Sequence, residues 1–282
     1  MIEYTKSNGV YMQSNNDDLK FNYGCASCGY KEVHGHIDTG RLLSKLDSLF
    51  DSNDLAEAER LLLFWQNEAI NLNDKKGELT VLNELIGLYR RTKEGEKSKN
   101  AIDRSIKIID ELGLNNNLSS ATIYLNIATN INSFGNAPES LIYYEKTYQI
   151  YKENLPENDK LFASFYNNYA SAMANTGKFE DARDTYLKAI SILEKLPNCK
   201  AETAISYINV SYVFEMLNQK DKIMQCMDAA YKNLTDPSNE KNGNYYFELS
   251  KCVEPFRERG MADIATDFQN QINNFYNSNK TR

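Results

Sequence analysis

The sequence is short of the features that most directly announce chemistry. Its 282 residues hold two His, one Trp and five Pro. No strongly apolar stretch outruns Leu61 to Trp65, far below the roughly 18 residues that a membrane-spanning helix requires. Met1 to Tyr11 lack the apolar middle region of a secretory signal, so the expected location is cytoplasmic. Block-like basic charge is missing too. Lys and Arg number 32 against 39 Asp and Glu, a formal charge of −7. They alternate with acids on helical segments, as in Arg90, Arg91, Lys93, Glu94, Glu96 and Lys97. That pattern describes a solvated face and gives no expectation of nucleic acid, whose phosphates need a clustered Lys/Arg surface. Cys199, Cys226 and Cys252 are spread over helical patterns and read as small buried hydrophobes, not as a disulfide framework. There is no Gly-rich phosphate loop and no His-Glu-x-x-His. Acidic pairs such as Glu180 and Asp181 fall on turn or solvent faces. The chain is therefore expected not to be an enzyme and to carry no catalytic residues.

What is present is a repeat. The stretch Phe165 to Ile192 reads FYNNYASAMANTGKFEDARDTYLKAISI. Tyr166, Tyr169, Ala170 and Met173 stand at i, i+3, i+4 and i+7, one face of a helix. Gly177, free to turn left-handed, ends it. Ala182, Tyr186, Ala189 and Leu193 share a face of a second helix, and Pro197 stops that one. A shift of 42 residues carries Ala170 to Ala128 and Ile86, Tyr166 to Tyr124 and Leu82, and Gly177 to Gly135. A shift of 41 in the other direction carries Ala170 to Ser211 and Ala189 to Ala230, and 42 more carries Asn218 to Gly260. With an early unit beginning near Asp38 and a weaker one from about Tyr245 to Phe275, six hairpins are expected. Pro255 falls inside the last unit, where it either breaks a helix or distorts a terminal cap.

The order of large apolar, small, Gly, then Ala-aromatic-Ala resembles the tetratricopeptide repeat. The 42-residue period and YNNYA…TGKFEDA…Y…A resemble its kinesin-light-chain-like subtype, of bacterial type. The resemblance covers residues 38–276. It implies an all-α fold, a right-handed α–α superhelix of about six hairpins. Residues 1–37 form a non-repeat appendage and 277–282 a tail.

The resemblance also implies that the first helix of each hairpin lines a concave groove. Asn126, Asn168 and Asn209 recur there at spacings of 42 and 41, each two residues before the small residue of its helix, with Glu84 in that place one unit earlier. A side-chain amide offers an acceptor and two donors and can pair with both polar groups of a peptide unit. Such a ladder either grips an extended peptide or ties neighbouring hairpins together. Thr129, Ser171 and Tyr212, one turn on, together with Asn132 and Asn167, flank it. These are uncharged, so no clamp for a terminal carboxylate is expected. The expected function is a protein- or peptide-binding scaffold whose partner and oligomeric state the sequence does not name. The alternatives are a cytoplasmic peptide-sensing regulator, for which 1–37 is short, and a zinc- or thiol-dependent enzyme built on that appendage.

The appendage carries Cys25, Cys28, His34 and His36 in YGCASCGYKEVHGH. Cys-x2-Cys-Gly resembles a zinc knuckle, in which Gly lets both thiolates turn to one metal. Two Cys and two His complete a tetrahedron, although His-x-His is tighter than usual. A merely structural Cys pair, or a redox pair lacking its βαβ setting, are the other readings. If zinc is held, the site is closed and structural, with no open position for water. Protein purified without a His tag then carries stoichiometric zinc by elemental analysis; metal content near zero removes the site.

Overall fold

The computed structural model describes residues 35–279. Among these residues there are twelve helices and no strand: α1 (Thr39–Asp51), α2 (Leu55–Asn71), α3 (Lys75–Thr92), α4 (Gly95–Glu111), α5 (Leu118–Ser133), α6 (Ala137–Asn154), α7 (Lys160–Asn175), α8 (Phe179–Leu193), α9 (Lys200–Met216), α10 (Lys220–Leu234), α11 (Gly243–Glu258) and α12 (Ala262–Asn279). They pair as six antiparallel hairpins, α1 with α2 through α11 with α12.

Local chemistry sets the ends. Asp38, Asp54, Asp74, Asn117, Asp159 and Asn242 cap helix N-termini, each side chain accepting a backbone N–H of the first turn. Those N–H groups have no partner within the helix. One residue in each hairpin turn is left-handed: Asn53, Lys93, Gly135, Gly177, Asn218 and Gly260, with φ from 56° to 89°. Behind each, the next residue's N–H closes onto the carbonyl five residues back, as in Lys178 to Met173 at 2.9 Å and Met261 to Phe256 at 2.9 Å. This is the Schellman closure, repeated in all six hairpins. Pro255 does not break α11. It lies in the last turn, where only the carbonyl of Lys251 loses its intrahelical donor, and the helix runs on to Glu258.

Each hairpin buries its stripe against the next. Ala128, Ala170, Ala182, Tyr186, Ala189 and Ala230 are fully buried, the small residues allowing close helix approach. Between the third and fourth hairpins an aromatic stack fills the gap. Tyr148 lies 5.7 Å from Phe165, and Tyr151 lies 5.7 Å from Phe162. First helices touch first helices from α3 through α5, α7 and α9 to α11, making an inner row. That row comes round until α11 meets α1.

The left-handed turns give a direct check. Lys93→Gly removes the Cβ penalty at φ 62° and is expected to raise stability by about 0.5–1 kcal/mol, while Gly177→Ala is expected to cost about 1 kcal/mol or more. Urea midpoints with an unchanged slope test both.

Candidate functional site

Side chains at one register position run along the inner row: Glu84 on α3, Asn126 on α5, Asn168 on α7, Asn209 on α9. One hairpin further on, Lys251 takes the place on α11, 42 residues after Asn209. Hydrogen bonds between first helices fix this as their facing side. Asn126 donates to Asn83 Oδ1 at 2.7 Å, joining α5 to α3. Asn132 donates to Ser171 Oγ at 3.4 Å and accepts from Asn175 at 2.9 Å, joining α5 to α7. Deeper in, Asn130 donates to the Ile86 carbonyl at 3.1 Å and to Ser98 Oγ at 2.6 Å.

The row divides into an open and a covered stretch. Thr80, Asn83, Glu84, Thr122 and Asn126 are half-buried, and Ser44 and Asp47 of α1 are exposed. On α7 and α9 the same positions are covered: Asn168 is 6% exposed and Asn209 0%. Asn168 donates back to the Ser164 carbonyl at 2.9 Å, and Asn167 to that of Ala163 at 3.2 Å. Thr129 is buried, donating to the Leu125 carbonyl at 2.8 Å, and Ser171 is buried against Asn132. Tyr212 is half-buried; its hydroxyl donates to Glu258 at 2.6 Å and Arg259 sits over its ring at 4.9 Å. The covered stretch is further tied by Lys160 of α7 to the buried Glu202 of α9, 3.1 Å apart. Asn83, Asn130 and Asn175 were not singled out from the sequence, although the spacing of 43 between Asn132 and Asn175 carries the signal.

The open stretch is acidic. Glu84 accepts from Asn83 Nδ2 at 3.2 Å. Burial, with the negative charge of Asp47 as a smaller contribution, pushes its carboxyl up to about 7 from 4.5 despite that bond. Burial also raises the carboxyls of Asp47 and Asp51, and for Asp47 the charge of Asp51 adds to it. Carboxylates gathered on a partly dried surface hold their protons.

Of the Cys/His set, Cys25, Cys28 and His34 lie outside the described residues. His36 is exposed, its Nδ1 3.2 Å from Asp74 Oδ1. Asp74 itself is buried and accepts the Ile37 N–H at 3.0 Å and the Gly77 N–H at 2.9 Å. Gly77 is required there, because a Cβ would come within 2.3 Å of Asp74 Oδ2 and 2.6 Å of the Ile37 side chain. Among the described residues no group of three or more His, Cys, Asp or Glu side chains is placed to hold a metal ion. Cys199, Cys226 and Cys252 are buried. Burial pushes the Cys226 thiol up to about 11 and that of Cys252 higher still, which suppresses the thiolate that nucleophilic chemistry needs. Among the described residues no helix is long and apolar enough to cross a membrane.

Hairpins in this order, closed by left-handed turns and stacked through small residues, define an α–α superhelix of tetratricopeptide type. No family model matches the sequence, and no curated protein matches it. Solved structures do match. The crystal structure of BtubC (BKLC) from P. vanneervenii is similar at 22% identity with a TM-score of 0.58, over 70% of this chain and 82% of that one. The nearly identical TPR-like repeats of a putative kinesin light chain from Podosopora anserina are similar at 14% identity with a TM-score of 0.50, over 72% of this chain and 96% of that one. A variant of those same repeats gives a TM-score of 0.51 at 12% identity, over 72% of this chain and 97% of that one. The likeness shows the fold, a tetratricopeptide-like superhelix with the hairpin geometry of kinesin-light-chain repeats.

Glu84 makes stability depend on pH. Its folded carboxyl titrates near 7 and its ordinary value is 4.5, so the folded chain binds the proton more tightly than the unfolded one. Stability at this site is full below about 4.5 and is lost as pH rises through about 7. Glu84→Gln removes the loss. Its advantage over the parent is expected to be near zero at pH 4.5 and about 1–3 kcal/mol at pH 8, the ceiling lowered because water reaches the side chain. Paired urea titrations across that range measure it, and an advantage that does not change with pH would refute it.

Proposed function

We propose that this chain is a scaffold that binds a protein or an extended peptide along the open stretch of its inner row, on α1, α3 and α5. The observation that supports this most is the 42-residue spacing of small polar side chains there. Thr80 and Thr122 stand in register, as do Glu84 and Asn126, and all four are half-buried. An extended backbone presents its N–H and C=O groups at regular intervals. Amides and hydroxyls spaced along a row of parallel helices meet such a backbone without reading its side chains. The dry, low-dielectric floor strengthens each such bond.

The amides then divide their work. Asn126 reaches the peptide, with Asn83 orienting it through the 2.7 Å bond. Asn168, Asn209, Thr129 and Ser171, all buried, serve the packing: Ser171 accepts from Asn132 across α7 and α5, and Asn168 and Thr129 bond back to carbonyls of their own helices. Tyr212 is engaged by Glu258 and Arg259 and borders that stretch. The acidity of Asp47, Asp51 and Glu84 disfavours anionic partners, so a peptide that ends in this stretch by its carboxylate is not the expected ligand. The Cys25, Cys28, His34, His36 set is retained as a candidate structural zinc site, with metal content as its test.

Single alanine replacements separate the two roles. Asn168→Ala and Asn209→Ala are each expected to cost about 1–3 kcal/mol of stability, because each truncation empties a buried, packed site. Asn126→Ala is expected to cost less than about 1 kcal/mol and to lower capture of partners in a pull-down at least several-fold. Full capture by Asn126→Ala, at unchanged stability, refutes the assignment.

A further inference from the structure

The first hairpin ends the stack, and a groove runs between its two helices. The groove measures about 710 Å³, with Arg41 and Lys45 of α1 on one wall and Leu61, Phe64, Trp65 and Glu68 of α2 on the other. The left-handed turn residues Asn53 and Lys93 align α1 with α3 at a shift of 40. Arg41 and Lys45, both exposed, then stand where α3 has Val81 and Leu85, 0% and 2% exposed. The α1 wall is thus polar where an inner hairpin is apolar, as the terminal unit of a repeat stack requires. The α2 wall is not. Trp65 stands where α4, α6, α8 and α10 have Ser105, Thr147, Ala189 and Ala230, each fully buried, and it is itself partly exposed. Its ring meets that of Phe64 edge-on at 5.9 Å, and Phe64 is 57% exposed. Leu63 and Ile70 of the same helix are exposed as well.

Apolar side chains gathered on one exposed face mark an interface. Inside the stack, each such face is met by a second helix: α2 lies against α3, α6 against α7 and α8 against α9. The shape of the end groove therefore suits a helix, with apolar side chains for Phe64 and Trp65 and carboxylates for Arg41 and Lys45. The helix α2 meets that description itself. It exposes Leu63, Phe64 and Ile70, and it carries Glu57 and Glu68. The face is self-complementary, with cations on one wall and an apolar, carboxylate-bearing helix as the other. A two-fold contact between identical surfaces demands that property. The opposite end of the stack offers no such match. The exposed side chains of α12 from Asp263 to Asn274 are all polar, so a head-to-tail row of copies would set nothing apolar on Phe64 and Trp65.

We propose that this groove is a homodimer interface: α2 of a second copy lies in it, and the second copy's groove receives α2 of the first. Each α2 then buries Phe64 and Trp65 against its twin, and Arg41 and Lys45 of each copy approach Glu68 of the other. The formal charge of −7 opposes association at long range. The two cations beside the apolar wall supply local attraction where the copies touch. Assembly stops at two copies, because the contact occupies the same face on both. The inference does not depend on the reading of the inner row.

The single Trp of the chain lies in the groove and reports on it. Sedimentation of the full chain from about 1 µM to about 100 µM is expected to show a shift from one copy to two and no further. Over the same range Trp65 emission is expected to move to shorter wavelength and its quenching by acrylamide to fall several-fold. Phe64→Glu alters an exposed side chain, so helical content by circular dichroism is expected to hold while the dimer dissociation constant rises at least about tenfold. Charge reversal checks the two-fold pairing. Chains with Arg41→Glu and Lys45→Glu, and chains with Glu68→Lys, are each expected to stay single where the parent pairs. An equal mixture of the two is expected to pair, because both halves of its interface then set opposite charges together. A parent that sediments as one copy throughout overturns the proposal. In that event Trp65 open to quencher means a bare face, and Trp65 protected at every concentration means that another part of the same chain covers it. Species that grow past two copies overturn the two-fold contact in favour of open-ended association. A mixture that pairs no better than its components overturns the placement of α2 in the groove.

Discussion

Everything in this molecule depends on one constraint: a two-helix hairpin cannot bury its own apolar stripe. Each hairpin carries an apolar face on both sides, and only a second hairpin laid against it removes that surface from water. The alanines at the crossings let helices approach, and the tyrosines and phenylalanines fill what remains. Tyr124, Tyr144, Tyr151 and Tyr186 are among the largest fully buried side chains. Their hydroxyls need partners inside the stack, and Tyr124 finds one in Asn115 at 2.9 Å. Stacking therefore sets polar positions as well as apolar ones. Curvature follows, because the first helices, with their Ala, Ser and Thr, come closer together than the bulkier second helices outside them.

The inner polar row is not uniform along the stack. On α7 and α9 its side chains are buried, and Asn209 has no exposed surface. On α3 and α5 the same positions keep contact with water. A repeat of identical chemistry thus yields two kinds of surface. Buried amides must be satisfied by the protein: Asn130, Asn132, Asn167 and Asn168 bond to carbonyls, hydroxyls and other amides of their own or a neighbouring helix. The half-open amides keep capacity to spare. Glu84, standing where later repeats have Asn, shows the cost of departing from neutrality in this row: its carboxyl rises to about 7.

The hairpins were legible in the sequence because they are local and repeated. Gly135, Gly177, Asn218 and Gly260 announce left-handed turns through residue type alone. Lys93 occupies the same conformation without that signal, and only its place in the register marks it. The sixth hairpin was legible as a unit, but the effect of Pro255 was not. Its harmlessness depends on where the helix ends, three residues later at Glu258, and helix ends are poorly specified by pattern. The ladder of Asn126, Asn168 and Asn209 was legible as a register and not as a surface. Exposure depends on how sharply the inner row bends, a sum of small angles over six hairpins that no single residue encodes. The meeting of α1 and α3 with α11 was illegible for the same reason. Asp51, Arg91, Gly243 and Phe247 share no motif, and they meet only after every intervening hairpin has added its turn.

That accumulation gives the stack its physical character. The summed rotation of six units brings α11 to α1, so a small change in any one junction is felt where they meet as a displacement several times larger. The stack junctions are packed with apolar side chains such as Phe162, Phe165 and Tyr151. The α3–α11 junction is built from charged and aromatic groups: Arg91 stands between two half-buried rings, and the buried Glu248 pairs with Lys251, whose ammonium also feels the charge of Arg90.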